Sequence, residues 1–309
     1  VMTTSGVAPT PLSLPRRHYA RGSSDRLELA EATQLVAALT AWVAQRRGIR
    51  ALLVKGLSLE RHGLRQGHVS ADVDLLVEPD QFEDLIRGLL ERGWSRRPDT
   101  LMSGRMTTHS VALIKDGWPN DIDLHREYPG LLVGPARAFD VLWDHRVPAT
   151  FAGICCWIPD RESAIVIWAL HSLRGTDRQP RHRAELHQLA TEILPRLSER
   201  ERVTLGLRIG DLGAAPLRSL CLPAGAWDEH GAPDPAALIA WNRKLAQNRA
   251  SSMWSQVLKE ARPQEYPYLL FRAVWPSGDD LRLMDPGLVN TPVGRLRARL
   301  LRVTRLARK

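Results

Sequence analysis

Two short carboxylate patterns carry the most evident chemistry in this chain. In Ser70-Ala-Asp72-Val-Asp74-Leu-Leu-Val77 acids alternate with apolar residues. Side chains alternate across a strand, so Asp72 and Asp74 share one face while Val73 and Leu75 turn toward a core. Two carboxylates this close repel unless a cation or a proton lies between them. Oxygen-only ligands suit Mg²⁺, which keeps several waters and bridges to nucleotide phosphates. The bland alternative is a strand edge showing two solvated acids. The apolar run Leu75–Val77 behind them favours a buried strand whose acidic end reaches a cleft. Asp121-Ile-Asp123-Leu-His125 repeats the alternation and puts Asp121, Asp123 and His125 on one face. Upstream, Leu53-Val-Lys55-Gly56-Leu-Ser58 reads as strand, tight turn and helix start, where glycine lets a backbone N–H approach a phosphate.

The elements that must position these groups follow from periodicity. Leu35, Leu39, Trp42 and Val43 form the apolar stripe of a helix within Asp25–Arg47, stopped by Gly48, and Ala51–Val54 reads as a strand. Val73–Val77 is followed by Pro79 and by a helix with Phe82, Leu85, Ile86, Leu89 and Leu90 on one side. His109–Ile114 and Ile122–His125 flank a turn containing Gly117 and Pro119, the pattern of a hairpin. Gly153–Ile158 reads as a further strand, and Pro159 opens a helix with Ala164, Ile165, Trp168 and His171 on one face. Beyond it the periodicity is mostly helical. The expectation is an α+β protein: residues 1–24 a loose arm, 25–158 an α/β domain, and 159–309 a helical domain ending in a basic helix.

Composition removes several classes. At 309 residues, with 44% hydrophobic and 25% charged, the chain is neither a disulfide miniprotein nor a disordered chain. Its longest apolar run, Ala164–Leu170, is far short of the roughly 20 residues that span a bilayer. Cys155, Cys156 and Cys221 make no even framework, and no leader pattern opens the chain, so a cytoplasmic setting is expected. Zinc spacing, a G-x-S-x-G elbow and a Walker-type loop are absent from the sequence. The net charge of +9 invites a nucleic-acid reading, but Arg295–Lys309 holds six Arg and one Lys without an acid. Without these seven charges the chain carries +2.

Taken together, Leu53-Val-Lys55-Gly56, Asp72-Val-Asp74-Leu-Leu-Val77 and Asp123-Leu-His125 resemble the uncharacterised nucleotidyltransferase family of the polymerase-beta-like nucleotidyltransferase superfamily. His109 ahead of the third acid strand, His171 on the Pro159 helix, and Trp275-Pro276-Ser277 before the Arg-rich helix extend the resemblance over about residues 25–305. It implies a small mixed sheet flanked by helices, followed by an α-helical C-terminal half. It also implies transfer of a nucleoside monophosphate, AMP from ATP or the equivalent from another NTP, to a small-molecule or peptide acceptor with release of pyrophosphate. Mg²⁺ or Mn²⁺ would be held by Asp72, Asp74 and Asp123. Lys55, Gly56 and Ser58 would meet the phosphates, together with His68, which stands where the family often has arginine and has Arg65 as its nearest arginine. The resemblance further implies a place in natural-product or modified-peptide biosynthesis.

The remaining polar residues stay open between two roles. His125 orients the acceptor or metal cluster, or bonds structurally to a strand neighbour; His109 and His171 read more readily as structural; Glu185 and His187 would line the cleft from the helical half. Most of the ten tryptophans are expected in packing. The terminal helix, with Leu296, Leu300, Val303 and Ala307 framed by arginines, either docks on the body or contacts an anionic partner. Two other functions are weighed: a catalytically weak binding protein of this fold for a peptide, lipid or nucleic acid, and a toxin-like transferase acting on tRNA or protein.

Overall fold

The computed structural model describes residues 27–65, 69–106, 109–175, 179–220, 235–246, 257–259, 261–285, 287 and 291–307. His68, Cys221 and the arm 1–24 lie outside them. The chain divides into two compact units, one of Asp25–Arg97 with Thr108–Gln247, the other of Val1–Ser24, Pro98–Thr107 and Asn248–Lys309.

In the first unit, helix α1 (Leu29–Arg46) leads to β1 (Ala51–Val54), the short α2 (Gly56–Arg61), β2 (Asp72–Val77), α3 (Phe82–Leu90) and β3 (Ser95–Arg96). The second unit contributes α4 (Leu101–Met106). The first resumes with β4 (Ser110–Ile114), β5 (Asp121–His125), α5 (Pro135–Asp144), the paired β6 (Val147–Phe151) and β7 (Ile154–Ile158), then α6 (Arg161–Gly175), α7 (Pro180–Gln188), α8 (Glu199–Asp211) and α9 (Pro235–Ala246). Five strands form one mixed sheet in the order β1-β2-β5-β4-β3. β2 and β5 are parallel, with Asp72 opposite Asp121, Asp74 opposite Asp123 and Leu76 opposite His125. The other pairings are antiparallel. The α+β class, with a mixed sheet and a helical C-terminal part, holds.

Both faces of β2 are covered. Val73, Leu75 and Val77 join a core with α1 and α3, while Leu76 belongs to a second core with Phe139, Trp168 and Leu170. The acids Asp72 and Asp74 therefore begin where the second core stops. Thr33 on α1 accepts a bond from Asn120 Nδ2 at 2.7 Å and donates to the Ser70 carbonyl at 3.0 Å, tying together the segments that lead into β2 and β5.

One expectation needs correction. Half of the apolar stripe expected for α1 is external: Leu35 and Trp42 are 38% and 37% exposed, whereas Val43 is buried with Val36, Ala37, Ala41 and Ala44, and Leu39 packs against the same core. Small side chains let the helix approach the sheet closely, whereas Trp42 lies beneath the guanidinium groups of Arg46 and Arg92. The strand expected at Gly153–Ile158 is present as β7 (Ile154–Ile158), paired antiparallel with β6, in which Ala149 and Phe151 are buried between exposed Pro148 and Thr150.

In the second unit, α10 (Tyr266–Val274), α11 (Gly278–Met284) and α12 (Pro292–Ala307) are helical. Asp280 accepts from the Leu101 N–H at 3.0 Å and pairs with Arg272, and Arg105 pairs with Glu265. Arg299 of α12 donates to the Pro276 carbonyl at 3.0 Å and lies over Trp275, while Leu296, Leu300 and Leu301 stay about half exposed. No helix among the described residues is long and apolar enough to cross a membrane.

Leu124 on the central strand β5 is fully buried. Leu124→Ala is expected to lower stability by about 2–5 kcal/mol through lost transfer energy and a residual cavity. Urea unfolding checks this, and a loss below about 1 kcal/mol would contradict a sealed core.

Candidate active site

The parallel pairing of β2 with β5 places Asp74 directly beside Asp123, and His125 lies two residues further along the same face. His125 Nε2 is 2.9 Å from Asp74 Oδ1 and 3.3 Å from Asp123 Oδ2. One ligand atom from each of Asp74, Asp123 and His125 falls within 4.8 Å of the others. Lys55 completes the group through an ion pair with Asp74. Asp74, His125 and most of Lys55 are buried, whereas Asp123 keeps an opening to solvent.

Lys55 reaches this point because its backbone has φ of 57°, a region that side-chain-bearing residues adopt only under constraint, at about 1–3 kcal/mol. Burial alone would lower its ammonium pKa, but the charges of Asp74 and Asp123 hold it well above the usual lysine range. Burial likewise opposes ionisation of Asp123, yet His125 and Lys55 keep that carboxyl well below the ordinary aspartate range. For His125 burial is again outweighed, by Asp123 and Asp74, and its pKa rises. His125 Nδ1 is buried and meets no hydrogen-bond partner among the described residues.

Asp72 occupies the exposed end of β2 and accepts from Ser70 Oγ at 2.8 Å. Restricted hydration and the Asp74 charge raise its pKa. Gly56 packs against the same serine, and a Cβ there would lie 3.0 Å from Ser70 Cβ. Ser58 is fully buried, and its Oγ has no partner among the described residues. Asp121 turns to an ion pair with Arg97. The structure thus joins Lys55, Asp74, Asp123 and His125, keeps Asp72 one strand step away, and separates Asp121.

Around this group the helical part supplies cations. Arg65, on the segment after α2, donates to Glu185 of α7 at 2.9 Å, and Ser172 of α6 donates to the same carboxylate at 2.7 Å. Glu185 is buried, but His187 is exposed. His171 packs edge-on against His182 at 4.9 Å between ring centroids. Burial, with Lys55, His182, Arg174 and Arg181 nearby, pushes His171 down to about 2, so it stays neutral. His109 stacks on His125 at 6.4 Å, and Tyr128 packs at 5.8 Å from the same ring. Burial pushes the Tyr128 phenol up to about 12. Arg65 and Glu185 each stand out in the sequence, but their pairing through the Arg65–Glu185–Ser172 network does not, and neither Ser172 nor Tyr128 stands out there.

A mixed sheet whose adjacent strands converge two acids and a histidine beside a lysine turn offers a group that could hold a metal ion. The family follows from the sequence: residues 11–196 match the family described as "Uncharacterised nucleotidyltransferase", and the chain belongs to it. It is therefore an enzyme of the nucleotidyltransferase class. Among solved structures, the antibiotic-resistance factor ANT(2'')-Ia is similar over 62% of this chain and 94% of its own, at 12% identity and a TM-score of 0.39. A tRNA-processing enzyme in its apo form is similar over 85% of this chain and 80% of its own, at 12% identity and a TM-score of 0.29. No curated protein matches the chain.

Asp74→Asn would leave the Lys55 ammonium buried without its counter-charge, a loss of about 3–5 kcal/mol. Replacing both, as Lys55→Met with Asp74→Asn, should recover more than half of that loss in urea unfolding. A near-neutral single Asp74→Asn would mean that the pair does not hold the turn.

Proposed function

We propose that the chain transfers a nucleoside monophosphate, AMP from ATP in the first instance, to a hydroxyl, phosphate or carboxylate of a small-molecule or peptide acceptor. The observation that carries this reading is the register of β2 and β5, which sets Asp74 against Asp123 with His125 on the same face. These are positions of the family motif, and their donor set fits a divalent ion. Asp74, Asp123 and His125 would hold that ion, with Asp72 extending the acidic face toward the substrate. His125 Nε2–H must release its proton before that nitrogen can coordinate. The imidazole makes the set softer than the all-oxygen shell preferred by Mg²⁺, which favours Mn²⁺ in vitro.

When bound, the ion supplies positive charge for the triphosphate and acidity for the attacking hydroxyl. The chain's own residues supply position and counter-charge. Lys55 and Arg65, on the β1 side of the acids, face the polyphosphate; Gly56 keeps the turn close to the Ser70 segment. The acceptor oxygen forms a bond to the α-phosphorus, the bond from that phosphorus to the bridging oxygen breaks, pyrophosphate leaves, and the hydroxyl proton passes to solvent. Orientation and preorganised charge account for the acceleration. A role in natural-product or modified-peptide biosynthesis is part of this proposal.

One observation favours a second reading. Lys55 and His125 already neutralise the acids, as they would in a fold that binds ligands but transfers poorly. Calorimetry with each NTP, with and without Mn²⁺ or Mg²⁺, separates the two: metal-dependent NTP binding supports the transferase.

Pyrophosphate release should be measured with each NTP in extract from the source cell, with labelled product identified by mass spectrometry. Asp123→Asn is expected to lower the rate by at least about 100-fold, the scale of losing one preorganised charge, and EDTA to abolish it. Undiminished turnover in both Asp72→Asn and Asp123→Asn would sink the assignment.

A further inference from the structure

Beside His125, the first unit contains a cavity of about 630 Å³. Its walls come from the position just before β4, from the segment after β5, and from α5 and α9. Leu131, Leu132, Ala138 and Trp241 give it an apolar lining with the Tyr128 ring, and His109, Glu127 and the Tyr128 phenol are its titratable groups. Gly130 allows the walls to close: its φ is 101°, and a Cβ would lie 2.7 Å from Leu170 Cδ2 and 3.1 Å from the Trp241 ring. The cavity adjoins the acids, because His109 and Tyr128 both line it and both pack on His125. Glu127 meets no hydrogen-bond or ion-pair partner among the described residues.

Glu127 is half-buried beside this apolar lining, and its carboxylate is available to a ligand that brings its own donor. The volume is within the roughly 300–1,000 Å³ range of small-molecule pockets. A polyhydroxylated sugar would strand most of its hydroxyl groups against this lining. We propose that the cavity is the acceptor site and takes a hydroxyl-bearing small molecule with an apolar, ring-sized body and an amine or similar donor for Glu127. This rests on the nucleotidyl-transfer reading of Asp74, Asp123 and His125. The ring stack of His109 on His125 sets the body of the acceptor one ring away from the reacting group. The Lys55–Gly56 turn is not among the cavity's lining residues and is left for the polyphosphate.

The test uses the full chain and tyramine as probe, a phenol with one amine, compared by calorimetry with tyrosol, which replaces that amine with a hydroxyl. Tyramine should bind wild type. Glu127→Gln should weaken it about tenfold, to the level of tyrosol. Ala237→Trp, at a half-buried cavity position on α9, should abolish binding by filling the space. Both variants should keep the wild-type circular dichroism and the wild-type affinity for Mn²⁺–ATP. No tyramine binding up to about 10 mM, or equal binding by all three proteins, overturns the inference. So does a parallel loss of Mn²⁺–ATP affinity in Ala237→Trp, which would make the cavity a base pocket. If wild type binds tyramine but no metal–NTP under any condition, the nucleotidyl-transfer reading fails, and the acceptor role fails with it, while a small-molecule pocket stands.

Discussion

Two carboxylates held side by side by a sheet's register repel, and at about 4 Å with an effective dielectric near 20 the repulsion is on the order of 4 kcal/mol. Asp74 and Asp123 are in that position, and Asp74 is buried. The local structure is arranged around relieving this repulsion. Lys55 takes a constrained backbone so that its ammonium meets Asp74, and His125 places Nε2 between both acids. Burial should weaken both cations, but the acids reverse that effect and raise the pKa of Lys55 and of His125. A divalent ion entering the site would take over part of this neutralisation.

The scaffold makes the juxtaposition rigid. β2 is covered on both faces beyond Asp74, so neither strand can slip by one residue without turning apolar side chains out of a core and acids into it. Thr33 ties the approaches to both strands to α1. Asp72, at the exposed strand end, and Asp123, which keeps an opening to solvent, are acids able to present charge outward. The lysine turn follows β1, whereas the apolar cavity is lined by the segment after β5 together with α5 and α9.

The basic C-terminal segment is a separate matter of charge. It belongs to the second compact unit, where Arg299 is engaged with Pro276 and Trp275 while the leucines of α12 remain half exposed. The global charge of the chain therefore describes this segment more than the acidic group at Asp74 and Asp123, which requires a cation before it tolerates a polyphosphate.

Much of the site was legible in the sequence because the period of a strand is a local property: Asp72 and Asp74 had to share a face, and so did Asp123 and His125. The turn at Lys55–Gly56 and the hairpin around Gly117 were readable for the same reason. Which acids meet was not, since spacing along one strand cannot state which strand lies beside it. The parallel pairing of β2 with β5 chose Asp74 with Asp123, the antiparallel pairing of β1 with β2 put Lys55 rather than open solvent against Asp74, and Asp121 turned to Arg97. The buried face of α1 escaped for a related reason, because alanines carry little signal until a sheet is packed on them. The cavity joins His109, Glu127 and Trp241, and the Arg65–Glu185 pair joins residues 120 apart. Such contacts depend on how the chain closes on itself, so only the tertiary structure could decide them.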